Sequence, residues 1–82
     1  MIILPIQSRM ARAALGWGVR ELAASAKVSV DTVARFERGE ELKERTIEAI
    51  HRALEAEGID FINENGGGPG VRLKKRQTRK RS

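Results

Sequence analysis

Val30, Asp31, Thr32 and Arg35 stand between the apolar positions Val28, Val33 and Phe36. A helix of 3.6 residues per turn directs the two sets to opposite faces. The outward set has the chemistry of base-edge reading. A guanidinium bonds bidentately to guanine O6 and N7, a carboxylate accepts from cytosine N4, and a threonine methyl meets a thymine methyl. Plainer roles compete with these. Arg35 can pair with Asp31 one helical turn away, an acid in the first turn suits the helix dipole, and Thr32 can be a tolerated surface residue.

Other chemistries are poorly provided for. The 82 residues include no cysteine and one histidine, so there is no disulfide, thiolate zinc site or His-rich metal site. No nucleophile–base–orienter set can be assembled. Gly66-Gly67-Gly68-Pro69-Gly70 is not followed by Lys-Ser/Thr or by a helix, and so fails as a P-loop. No enzyme activity, cofactor or metal is expected. The apolar start, residues 1–6, is too short for a signal sequence, and nothing nears the roughly 18 apolar residues of a membrane span. The expectation is a soluble, cytoplasmic protein with no membrane partner.

Sixteen Lys/Arg against eleven Asp/Glu give a net charge of +5 and a pI near 10.5, which points to nucleic acid. The distribution weakens that inference. Residues 1–71 hold nine Lys/Arg and eleven acids, whereas residues 72–82 hold seven Lys/Arg and no acid. The body is slightly acidic and the excess positive charge is confined to the tail. Lys74, Lys75, Arg76, Arg79, Lys80 and Arg81 suit a phosphate-seeking arm that strengthens binding without reading sequence.

The elements that must position these residues follow from periodicity and punctuation. Pro5 suits a first helical turn, and a helix runs to Leu15, closing at Gly16. A second spans Val19–Ala26, with Leu22, Ala23 and Ala26 inward. Small Ala23 permits close approach of the third helix, which runs from Val30 to Arg38 behind Ser29 as N-cap and stops at Gly39. A loop over residues 40–43 leads to a fourth helix, Glu44–Glu57, with Ile47, Ile50 and Leu54 on one face. Ile59–Ile62 and Val71–Leu73 flank an Asn- and Gly-rich loop and predict a β-hairpin. An isolated hairpin is marginal in water, so Ile59, Phe61, Val71 and Leu73 are expected to pack on the helices or on a second copy, and are taken as a dimerisation surface. The organisation is therefore a helical domain over 1–58, a hairpin over 59–73 and a disordered basic tail over 74–82. Trp17 is expected in the core beneath the first helix, and His51 on the solvated side of the fourth.

With these residues in place, the chain resembles the phage-repressor-like (Cro/C1, XRE) helix-turn-helix family over roughly residues 5–57. Arg12, Leu15-Gly16, Glu21-Leu22-Ala23, Val28-Ser29, Val33, Phe36-Glu37 and Gly39 carry the resemblance. It implies a mainly α, four-to-five-helix lambda-repressor-like DNA-binding domain, here with a C-terminal β-hairpin. The third helix becomes the recognition helix, with Val30, Asp31, Thr32 and Arg35 at base edges. Ser29, Lys27, Arg38 and Lys43 stand near phosphates, and Arg12–Glu37 ties the first helix to the third. Two departures stand out: Val19 replaces a polar DNA-contacting residue, and Lys27 occupies a turn position usually held by glycine.

The resemblance implies a sequence-specific regulator of transcription, a repressor or dual regulator, that binds double-stranded DNA as a homodimer in a bacterial cytoplasm and is associated with the nucleoid. A rival reading keeps the fold but makes another regulatory protein the partner, as in an antiactivator or adaptor. The acidic body, Asp31 and Val19 motivate it.

Overall fold

The computed structural model describes residues 2–64 and 66–74. Their order is α1 (Pro5–Leu15), α2 (Val19–Ala26), α3 (Val30–Glu37), α4 (Glu44–Ala56), β1 (Ile59–Ile62) and β2 (Gly70–Leu73). The protein is mainly helical, with four helices and a C-terminal antiparallel hairpin. The expected ends are close. Arg38 is the C-cap of α3 and not part of it, α4 closes one residue earlier than expected, and β2 begins one residue earlier.

Each boundary has a local cause. Gly16 ends α1 in the left-handed region at φ 71°, and Trp17 N–H then donates to Arg12 O at 2.8 Å. The Gly18 N–H at the start of α2 donates to Glu21 Oε1 at 2.8 Å. Ser29 Oγ accepts from Thr32 N–H at 3.0 Å, so the first turn of α3 has one of its orphan donors satisfied. Lys27, between α2 and α3, takes φ 60° and ψ 44°, and it is the one non-glycine residue with positive φ among those described. The backbone accepts strain of about 1–2 kcal/mol there. In return Val28 N–H reaches Ala23 O at 3.0 Å, closing α2 tightly enough for α3 to start two residues later.

The core joins all elements. Ile3, Ala11, Leu22, Ala23, Val33, Phe36, Ile50, Leu54 and Ile59 are at most 3% exposed and form one cluster. Ala23 is 2% exposed and lies within this cluster, and Trp17 packs partly buried against it.

Two expectations are corrected here. Ile59 is fully buried in the protomer's own core, so it cannot contribute to a surface for self-association. Phe61 and Val71 also pack against the core, and of the four expected dimer residues only Leu73 is substantially exposed, at 45%. His51 is not a solvated residue. Its side chain is 13% exposed and meets the Phe61 ring edge-on at a centroid distance of 4.8 Å. Packing of the hairpin over α4 covers a position that helical periodicity alone assigns to solvent.

The hairpin is fastened to α1 by a buried glutamine. Gln7 Nε2 donates to Ile62 O and Gly70 O, both at 3.0 Å, while its Oε1 accepts from Leu4 N–H at 2.9 Å. These partners use both donors and one acceptor of an amide that is 2% exposed. Lys74 N–H donates to Gly58 O at 2.7 Å and ties the end of β2 to the start of β1.

Candidate nucleic-acid interface

The orientation of α3 is fixed from beneath. Glu37, 7% exposed, accepts from Ser8 Oγ at 2.6 Å, from Arg12 Nε at 3.0 Å and from Arg12 Nη2 at 2.7 Å. Arg12 Nη1 also donates to Trp17 O at 3.3 Å, so a single side chain links α1, the loop before α2, and the end of α3. The hydrogen bonds to Glu37 hold the Arg12 guanidinium above its ordinary pKa, outweighing its partial loss of hydration. The pairing expected between these residues is present with bidentate geometry, the strong form of such an ion pair.

Opposite this anchored side, α3 presents its outward residues. Val30 is 46% exposed, and the side chains of Asp31 and Arg35 are 75% and 41% exposed. Thr32 is half-buried, its hydroxyl 2.8 Å from that of Ser29. Eight residues at 1.5 Å each make α3 about 12 Å long, comparable to the width of a DNA major groove. Beside α3, an open concavity of about 630 Å³ is lined by Val28, Ser29, Thr32 and Arg35 together with Glu41, Leu42, Lys43 and Thr46. Ser29, Thr32, Arg35 and Lys43 are thus brought to one surface.

Lys27 is exposed at the C-cap of α2, Lys43 at the N-cap of α4 and Arg38 at the C-cap of α3. Lys74 is exposed at the end of the hairpin. Lys75, Arg76, Arg79, Lys80 and Arg81 lie outside the described residues. Among the described residues, no group of His, Cys, Asp or Glu is gathered so as to hold a metal ion, and no helix is long and apolar enough to cross a membrane.

Two short helices joined by a three-residue turn, the second anchored below and exposed above, form a helix-turn-helix. A family model for the helix-turn-helix domain matches residues 8–60. The chain belongs to the helix-turn-helix domain family. Family membership makes DNA binding the expected general activity of this helix-turn-helix domain, and such domains are typically non-enzymatic. No curated protein matches it in sequence.

One feature of the helix-turn-helix surface has no counterpart among the sequence-based expectations. Glu40 Oε1 accepts from Arg35 Nε at 3.1 Å, and Glu40 Oε2 accepts from Arg38 Nη2 at 2.9 Å and Nε at 3.3 Å. Asp31, the expected partner of Arg35, lies farther off, with 3.9 Å between Oδ2 and Nη1. The Arg35–Glu40 separation of five residues matches no helical pair. The signal that could have revealed it is Gly39, whose φ of 91° turns the chain back over the last turn of α3.

Proposed function

We propose that this helix-turn-helix domain is a sequence-specific DNA-binding regulator of transcription that places α3 in the major groove and acts as a homodimer. The observation that carries the reading is the outward row of exposed Val30, half-buried Thr32 and accessible Arg35 on a helix whose other face is anchored through Glu37. In this reading Arg35 donates to guanine, Thr32 and Val30 make apolar or hydroxyl contacts, and Asp31 favours the helix N-terminus. Ser29, Lys27, Arg38 and Lys43 meet phosphates on either side, and the basic tail adds sequence-independent attraction. Two copies are needed because one short helix covers only a few base pairs, and paired recognition helices sit about one DNA turn apart. Leu73 at the exposed end of the hairpin is the residue offered for self-association. Repression, activation or both would follow from where the site lies relative to a promoter.

A specific observation also favours the second reading, a protein partner. The cations Arg35, Arg38 and Lys43 stand with Asp31, Glu40 and Glu41 around α3 and its concavity, so the surface is balanced in charge. A gel shift over genomic and random duplexes through a salt series separates the two. DNA reading predicts sequence preference that survives deletion of residues 75–82, and Arg35→Ala should lower discrimination at one base pair by about 1–3 kcal/mol. Binding without preference that disappears with the tail would reject it in favour of the protein-interaction module. For the dimer, Leu73→Asp should shift sedimentation equilibrium toward monomer, and an unchanged dimer rejects that surface.

A further inference from the structure

We propose that Glu40 is a positioning residue for base reading, holding Arg35 by its Nε so that both terminal amino groups are presented together to one base edge. This role rests on the DNA-reading function of α3 proposed above. With Nε bound to Glu40 Oε1, and with 3.9 Å between Nη1 and Asp31 Oδ2, too long for a hydrogen bond, Nη1 and Nη2 make no hydrogen bond among the described residues. They are the end-on pair of donors that a guanidinium can offer to guanine O6 and N7, while Glu40 occupies Nε and so closes the alternative side-on pair, Nε with Nη2.

Glu40 is itself well held. Its backbone N–H donates to Arg35 O at 3.0 Å, so main chain and side chain grip the same arginine. Its second carboxylate oxygen is occupied by Arg38. Arg38 thereby fixes the carboxylate and offsets its charge, which lets an acid stand on a face that meets phosphates. Hydrogen bonds from Arg38 and then Arg35 hold the Glu40 carboxyl below its ordinary pKa, in keeping with both guanidiniums donating to it. An arginine fixed before binding loses less side-chain freedom on reaching its base than a free one does. The gain belongs to the correct base pair, because only there do both terminal donors find acceptors.

The test is affinity of the 82-residue chain for a duplex selected from a random pool, and for that duplex with each base pair replaced in turn. Wild type, Arg35→Ala, Glu40→Ala and Glu40→Gln are compared. Arg35→Ala identifies the base pair concerned. At that pair, Glu40→Ala should lose at least about threefold of the preference, part of the discrimination a bidentate contact supplies. Its affinity for unrelated duplex should stay level or rise. Glu40→Gln keeps an oxygen that can accept from Nε and should retain more of the preference than the alanine variant. If Glu40→Ala tightens every duplex by the same factor and leaves the preference intact, Glu40 is only a repelling charge and the proposal is overturned. A wild-type profile without preference at any base pair would instead overturn the DNA reading, and the role of Glu40 with it.

Discussion

Replacing Arg12 with methionine tests whether the ion pair beneath α3 sets the stability of the helix-turn-helix. The substitution keeps an unbranched stem of similar length and removes three donors at once, two to Glu37 and one to Trp17 O. Glu37, 7% exposed, is left with the Ser8 hydroxyl as its hydrogen-bond donor. Breaking a fully buried pair from one side costs about 3–5 kcal/mol. Arg12 is 19% exposed, so water can reach part of the stranded carboxylate, and the lower end, about 3 kcal/mol, is expected. For a domain of this size that corresponds to roughly 12–24 °C in Tm. Urea unfolding followed by circular dichroism gives the free energy directly. A second variant separates charge from packing. The triple substitution Ser8→Ala, Arg12→Met and Glu37→Leu removes donor, cation and acceptor together, and should recover to within about 1.5 kcal/mol of wild type, as apolar replacements of buried polar networks do. A loss below about 1 kcal/mol for Arg12→Met would place this pair among ordinary surface ion pairs and refute the reasoning. So would a triple variant no more stable than the single one.

Further outcomes follow from other sites. Lys27→Gly relieves the left-handed strain while adding freedom to the unfolded chain, and should stabilise by about 0.5–1 kcal/mol in urea. If Lys27 meets a phosphate, the same variant lowers the slope of log K against log salt by about 0.9 per protomer. Gln7→Leu removes the side-chain hydrogen bonds to Ile62 O, Gly70 O and Leu4 N–H, and should cost about 1–3 kcal/mol. Hydrogen exchange should then accelerate in the hairpin, including the Lys74 amide, and much less in α2 and α3. Because the folded pKa of Glu40 is lowered from 4.5, its contribution to stability is present above that value and is lost as pH falls through the folded one. The difference in urea midpoint between wild type and Glu40→Gln should therefore be smaller at about pH 3 than at pH 7, and a difference that does not shrink on acidification contradicts the clamp.

Local chemistry makes much of this protein legible in its sequence. The α2 boundaries, the Ser29 cap, the stop at Gly16 and the inward set Leu22, Ala23, Val33 and Phe36 all rest on interactions within a few residues, where periodicity and capping rules apply. The Arg12–Glu37 pair is legible through family resemblance and not through spacing, since 25 residues separate its members. His51 and Ile59 depart from expectation for one reason. Both lie where the hairpin closes over α4 and α1, and no local pattern tells a residue which distant segment will cover it. The role of Gln7 is hidden in the same way, as its partners are 55 and 63 residues away.

The sequence by itself determined the helix-turn-helix and which residues of α3 face outward, because a 3.6-residue period and a short turn leave little choice. It also showed that the high net charge belongs to the tail. Tertiary structure alone decided which distant residues share their surface. Chain reversal at Gly39 brings Glu40 back onto Arg35 and Arg38 by a local turn, but it takes the packing of α4 to gather Lys43 and Thr46 with Ser29 and Thr32 in one concavity. That gathering depends on where α4 is laid against the other helices, which is set by packing of the core and not by any local pattern.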